Sequence, residues 1–336
     1  QEVNPGFRGD NLLLVRLSLP SNNYSSREAV AVFFDKILPR IQELPGVRSV
    51  GAANVLPLSA MNVRSDFTIA GRPPVSASDK PAAQNRWVSS EYFQTLGIPL
   101  LLGRAFTARD SAHAPGVAII DEELARRYWP NDNPVGTHLI IEDSPNPREV
   151  EIIGVAGSVM HVSLDEPSSP TFYGPIDQMP KETVPFLAAN CSLAIRTDPD
   201  PLTLETAVRR EVQSVDSNVP VSNIKTMAQV LSSSTAGRRF NLLLLTIFAG
   251  TAVLLAVTGV YAVMSYSVTR RNQEIGIRIA LGAQPGDVVK LVLGKGVRLV
   301  VIGVSVGIVG AVFSTRLLSS LLYGVRPLDP LTFALT

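Results

Sequence analysis

The sequence predicts an α+β domain outside the membrane, made of split ferredoxin-like βαβ halves with a strand-rich insertion, followed by transmembrane α-helices. Two observations carry that expectation. A long apolar run without charge begins at Asn241, and two strand–helix–strand patterns of the same kind stand far apart before it. The stretch between those patterns reads as strand-rich and is broken by proline and glycine.

The first pattern starts with "NLLLVRLSLP" (Asn11–Pro20), a strand by its leucine and valine content. Ser25 followed by Glu28 reads as a capping box that opens a helix. Val30, Phe33, Phe34, Ile37 and Ile41 then keep helical spacing, "LPGV" ends the helix, and "RSVGAANVLPL" supplies the second strand. The second pattern is "SLAIRT" (Ser192–Thr197), a helix over Pro201–Val215, and "VPVSNI" (Val219–Ile224). The insertion, about Asp66 to Asp177, contains a strand running into a short helix at Val117–Trp129 and a strand at Glu149–Val159. Thr226–Phe240 is expected to carry a span outward as a helical stalk.

From Asn241 to Thr269 no residue is charged. As a helix this run measures roughly 43 Å, more than a hydrocarbon core of about 30 Å requires. A second run, Leu299–Thr315, is shorter, and Arg298 and Arg316 beside it can snorkel to the interfaces. We therefore expect residues 1–239 to form an extracytoplasmic domain and 240–336 a membrane region. Its spans fall at about 241–269 and 296–316, joined by a cytoplasmic loop at 270–295, with a further span starting after 330. The chain reads as a fragment, because an apolar run is only beginning at "LDPLTFALT". Gly303, Gly307 and Ala311 recur every four residues, a spacing that gives either a smooth helix-packing face or an ordinary glycine-containing span. Arg270, Arg271, Arg278, Lys290, Lys295 and Arg298 outnumber Glu274 and Asp287, which places that loop on the cytoplasmic side; Arg238 and Arg239 weigh the other way.

Chemistry is sparse. Net charge is +1 and no basic stripe is interleaved with aromatics, so no nucleic-acid partner is expected. "GKG" at Gly294–Gly296 fails the P-loop template, since residue 289 is Val and residue 296 is Gly. His113, His138 and His161 lack ligand spacing, and the single cysteine, Cys191, beside a strand, reads as a buried inert thiol. Asp121, Glu122 and Glu123 sit at a strand-to-helix junction, where acids favour the helix N-terminus. No catalytic constellation, metal site or cofactor site is expected.

Several stretches in order resemble the permease subunits of MacB/FtsX-type ABC transporters. "EIGIRIALGAQPGDVVKLVL" (Glu274–Leu293) resembles the family's cytoplasmic turn after the second span. "NPGFRGDNLLLVRLSLP", "SSEYFQTLGIPLLLGRAFTARD" and "VAIIDEELARRYWPNDNPVGTHL" resemble its extracytoplasmic domain, and "YGVRPLDPLTF" the lead-in to the last span. The opening resembles most the second half of the duplicated permeases described from acidobacteria, which implies one span before Gln1 and another after Thr336. The resemblance implies a permease moved by a separate ABC ATPase on the cytoplasmic side. It also implies contacts with a second permease half or protomer, the lipid membrane and an outer-membrane or periplasmic partner. The coupling residues it implies are Glu274, Ile275, Gly276, Ile277, Arg278, Ala280, Leu281, Gly282 and Ala283. If that segment is helical, Glu274 and Arg278 share one face, while Gly276, Ala280 and Ala283 fall opposite. The alternative is an envelope interaction or regulatory protein that controls an external enzyme without moving substrate.

Overall fold

In the computed structural model the described residues are 4–59, 61–72, 80–143, 145–164, 168–198 and 200–270, with twelve single positions between Ile277 and Ile308. The chain divides into two units, Gln1–Arg239 and Phe240–Thr336.

In the first unit, β1 (Leu12–Leu17), α1 (Arg27–Gln42) and β2 (Val47–Ala53) open the chain, and β10 (Ser192–Thr197), α5 (Glu205–Val215) and β11 (Val221–Thr226) close it. These four strands lie in the order β11–β1–β10–β2 with every neighbour antiparallel. Each strand–helix–strand unit therefore skips one position in the sheet. The apolar stripe expected on α1 is the buried one: Val30, Phe33, Phe34, Ile37 and Ile41 pack with Leu13, Val15, Leu193 and Val208.

Several boundaries differ from expectation; β2, for one, ends at Ala53 rather than continuing to Leu58. The cap of α1 is Ser26, one residue after the expected Ser25. Ser26 has the extended backbone a cap requires, and its hydroxyl accepts from the Ala29 N–H at 3.2 Å. The helix expected from Pro201 starts as a 3-10 turn, Pro201–Leu204, before α5. A turn closed by Val219 N–H to the Asp216 carbonyl delays the last strand to Val221.

Seven strands lie between β2 and β10: β3 (Arg64–Ile69), β4 (Ala82–Val88), β5 (Leu100–Gly103), β6 (Val117–Asp121), β7 (His138–Glu142), β8 (Arg148–Ala156) and β9 (Thr171–Pro175). Three short helices accompany them, α2 (Tyr92–Leu96), α3 (Glu122–Tyr128) and α4 (Val184–Asn190). The pairings run β4–β3–β7–β8–β6–β9 and return from β9 to β4, so six strands close into a ring. Closure removes the free edges that would otherwise template aggregation. Alternate residues fill the ring, among them Phe67, Ala83, Ile120, Ile141, Ile152 and Phe172. Residues of opposite parity, including Val88, Ile119 and Tyr173, pack with Leu12, Leu14, Ala53, Ala194 and α2 in a second core. The single β2–β4 pair, Ala53 with Val88, joins the ring to the four-stranded part.

The last element, α6 (Met227–Arg270), is one helix. Its start is fixed by a reciprocal cap: Gln229 N–H donates to Thr226 Oγ1 at 3.2 Å, and Thr226 N–H to Gln229 Oε1 at 3.0 Å. Met227 is buried in the second core, with Val230 and Leu231 packed against it.

Candidate membrane and coupling site

From Leu243 to Arg270, α6 is 28 residues long; an 18-residue window within it has a mean hydropathy of 2.3, and none of that window is buried within the protein. Phe248, Leu255 and Tyr261 are each about 70% exposed, a distribution that would be unfavourable in water along a whole helix. The polar groups on this stretch look after themselves. Thr251 donates to the Ile247 carbonyl at 3.1 Å, Thr258 to Leu254 at 2.8 Å and Thr269 to Ser265 at 2.9 Å. Such back-bonding satisfies hydroxyls where no water is present. At the end of the run, the Arg270 guanidinium lies 5.5 Å from the Tyr266 ring centroid. A cation beside an amphipathic aromatic suits a membrane interface.

Of the expected coupling residues, only Ile277 belongs to the described set; it is helical and exposed. Glu274, Ile275, Gly276, Arg278, Ala280, Leu281, Gly282 and Ala283 lie outside the described residues. Gly303 and Gly307 are helical, with open space where a Cβ would point, and Ala311 lies outside the described residues.

Between the ring and the four-stranded part sits a polar cluster that sequence reasoning missed. Arg86 on β4 is fully buried. Its guanidinium donates to the Asn85 carbonyl at 2.9 Å, to Val63 at 3.3 Å, to Met61 at 3.4 Å and to Gln84 Oε1. Among the described residues no carboxylate pairs with it, so carbonyl dipoles hold the charge and tie down residues 61–63. Tyr173, the cross-strand partner of Arg86, bonds His161 Nε2 at 3.0 Å. Burial, and then the Arg86 charge, holds the His161 imidazole well below its usual range. It is therefore neutral.

Asp121 is the buried member of the acidic trio. Its side chain accepts from Leu124 N–H and Thr171 N–H, each at 2.9 Å, and from Ser158 Oγ at 3.2 Å. Burial pushes its carboxyl up to about 7 against the pull of those three donors. The role is structural: it caps α3 and stitches that cap to the start of β9. Cys191 is fully buried, its thiol pushed up to about 12 by burial, and its Sγ lies 3.5 Å from the Leu17 carbonyl. Among the described residues no three metal-ligating side chains converge.

Comparison with known proteins first gives the class. Residues 246–334 match the FtsX-like permease C-terminal family. Residues 2–215 match the MacB-like periplasmic core domain, and the chain belongs to that family. Its relatives are ABC transporter permeases of the MacB/FtsX type, membrane proteins with a periplasmic domain. The chain is 29% identical over 338 residues to the macrolide export ATP-binding/permease protein MacB of Azoarcus sp., covering 94% of this chain and 46% of that one. It is 29% identical over 230 residues to the uncharacterized ABC transporter permease YknZ of Bacillus subtilis, covering 66% and 54%. The crystal structure of the periplasmic region of MacB from Actinobacillus actinomycetemcomitans superposes with a TM-score of 0.43 at 15% identity, over 68% of this chain and 94% of that one. The chain spans between about a third and just over half the length of the curated relatives it matches.

Proposed function

We propose that this chain is a permease half that converts ATP hydrolysis by a separate ATPase into movement of its domain at residues 1–239, for export or mechanotransmission. The observation that carries the reading is an exposed apolar helix of span length, Leu243–Arg270, within a chain that also holds a MacB-like domain. On this reading residues 1–239 are extracytoplasmic on a bacterial inner membrane, with an insertion at about 66–177 in a ferredoxin-like core. The antiparallel order β11–β1–β10–β2, with each helical crossover skipping a strand, supports that core. Residues 270–295 form the cytoplasmic contact, and the chain serves as the second half of a duplicated permease. The partners are the ATPase, another permease half or protomer, the lipid bilayer and a periplasmic or outer-membrane protein.

The coupling contact divides by chemistry. Glu274 and Arg278 offer charge on one helical face, an exposed pair worth only about 0.3–0.5 kcal/mol by itself. Gly276, Ala280 and Ala283 offer a smooth face where a partner's backbone approaches closely, and Gly282 stops the helix. Ile275, Ile277 and Leu281 supply apolar contact, and Gly303, Gly307 and Ala311 pack the second span against a neighbour. The test is co-purification and ATPase activity with candidate ATPase subunits. Gly276→Trp and Arg278→Glu should each reduce association and stimulated turnover at least several-fold. Association and turnover equal to the unaltered chain in both variants would remove the reading.

A further inference from the structure

The sheet face that carries Leu14 and Ala194 into the second core turns polar at one end. Arg16 stands two residues beyond Leu14 on the same face of β1 and lies opposite Ser192 on β10. On the other side β11 places Lys225 opposite Leu14 and Ser222 opposite Arg16. Two steps on β1 therefore face three on β11, which is a β-bulge. The bulge contains Asn223, whose φ is +51°, in the left-handed region. Here the strands border an open cavity of about 240 Å³, lined also by residues 54–59 and by Val230 and Ser233 of α6.

Three features of this cavity point the same way. Arg16 and Lys225 both border it, and among the described lining residues none is acidic. One guanidinium nitrogen, Arg16 Nη2, is held by Asn190 Oδ1 at 2.7 Å, and Asn190 is itself oriented by donating to the Phe186 carbonyl at 3.0 Å. Finally, two of the three non-glycine residues with positive φ among the described residues line this one cavity, Asn223 and Leu58 at +59°. A leucine in that conformation is strained and needs outside support. Leu58 N–H donates to the His161 carbonyl at 2.8 Å, and Arg86 grips the carbonyls of Met61 and Val63 a few residues on. The cavity is a built and braced site with surplus donors.

We propose that it binds a small organic anion of the phosphate-ester class. Arg16 and Lys225 take the anionic oxygens, and a short alkyl part lies against Leu56 and Val230. This goes beyond the coupling function, because every residue involved belongs to the domain preceding the span. The ligand chemistry has two sources, a water-soluble phosphate ester or the headgroup of an anionic lipid.

The experiment is calorimetric titration of the full chain in a neutral maltoside detergent at fixed ionic strength, with hexyl phosphate as probe and hexanol as the uncharged control. Hexyl phosphate should bind saturably and hexanol should not. Lys225→Gln, which changes an exposed side chain, and Arg16→Gln should each weaken binding at least ten-fold, with Arg16→Lys retaining more than Arg16→Gln. Dihexanoyl phosphatidylglycerol is then added as competitor. Displacement of hexyl phosphate assigns the site to a lipid headgroup, and no displacement assigns it to a soluble ester; both outcomes support the proposal. The absence of saturable hexyl phosphate binding, equal binding by the Lys225→Gln chain, or equal binding of hexanol would overturn it.

Discussion

Arg86 on β4 and Asp121 on β6 are buried ionisable groups on the two strands that flank β9 in the ring, and they solve the same problem in different ways. Arg86 keeps its charge and distributes it over carbonyl oxygens. Replacing it with Met would leave those acceptors without donors at a cost of about 3 kcal/mol. Trp87 and Trp129 are the only tryptophans and both are buried in the first unit, so their fluorescence in a urea melt of the chain reads that loss. Asp121 instead binds a proton more readily when folded. Its folded value of about 7 stands above the unfolded value, so the folded state holds more protons between roughly pH 4 and 7. Stability from this group is therefore greatest below that window and declines as pH rises through it. Asp121→Asn keeps an oxygen acceptor but removes the titration. It should flatten the pH dependence of the fluorescence melting midpoint between pH 4 and 7; an unchanged slope would contradict the assignment. The sequence exposes little of this. Nothing local in "AAQNRWV" marks its arginine as buried; that follows from long-range pairing, which sets Arg86 beside Tyr173. The roles of Cys191 and Asp121 were legible, because a thiol beside an apolar strand and an acid before a helix have few other uses.

At the scale of elements, what could be read depended on how local the signal was. The buried stripe of α1 follows from helical spacing alone, and β10 begins and ends where the expected strand "SLAIRT" does. The cap of α1 slipped by one because Ser25 and Ser26 are adjacent, and only backbone conformation decides between them. Closure of the ring was not legible, since the parallel pairing of Gln84 with Thr171 joins segments far apart in the chain. Nor was the cavity, which depends on a single-residue bulge at Asn223. The long apolar helix was plain, because absence of charge over such a length shows directly in the sequence. Its prediction belongs at this scale too. Leu255→Arg places a cation near the middle of Leu243–Arg270 and should cost about 2.5–3.5 kcal/mol of insertion free energy. A translocon insertion assay on this segment should show a fall in the inserted fraction, and no change would argue that the helix does not cross the bilayer.

For the molecule as a whole, the permease reading rests on which side of the membrane each part occupies. The charges at 270–298 favour the cytoplasm while Arg238 and Arg239 pull the other way, so charge alone leaves a narrow margin. Family membership supplies the remaining weight. The chain offers a clean way to measure the point, because its single cysteine, Cys191, is buried with its thiol held in the protonated, unreactive form. Single substitutions Ser217→Cys, on an exposed turn of the first unit, and Gln273→Cys, at the start of the proposed coupling segment, thus label without background. In spheroplasts treated with a membrane-impermeant maleimide, the Ser217→Cys chain should label before lysis and the Gln273→Cys chain only after it. Labelling of the Gln273→Cys chain before lysis, or protection of the Ser217→Cys chain until lysis, would contradict the account.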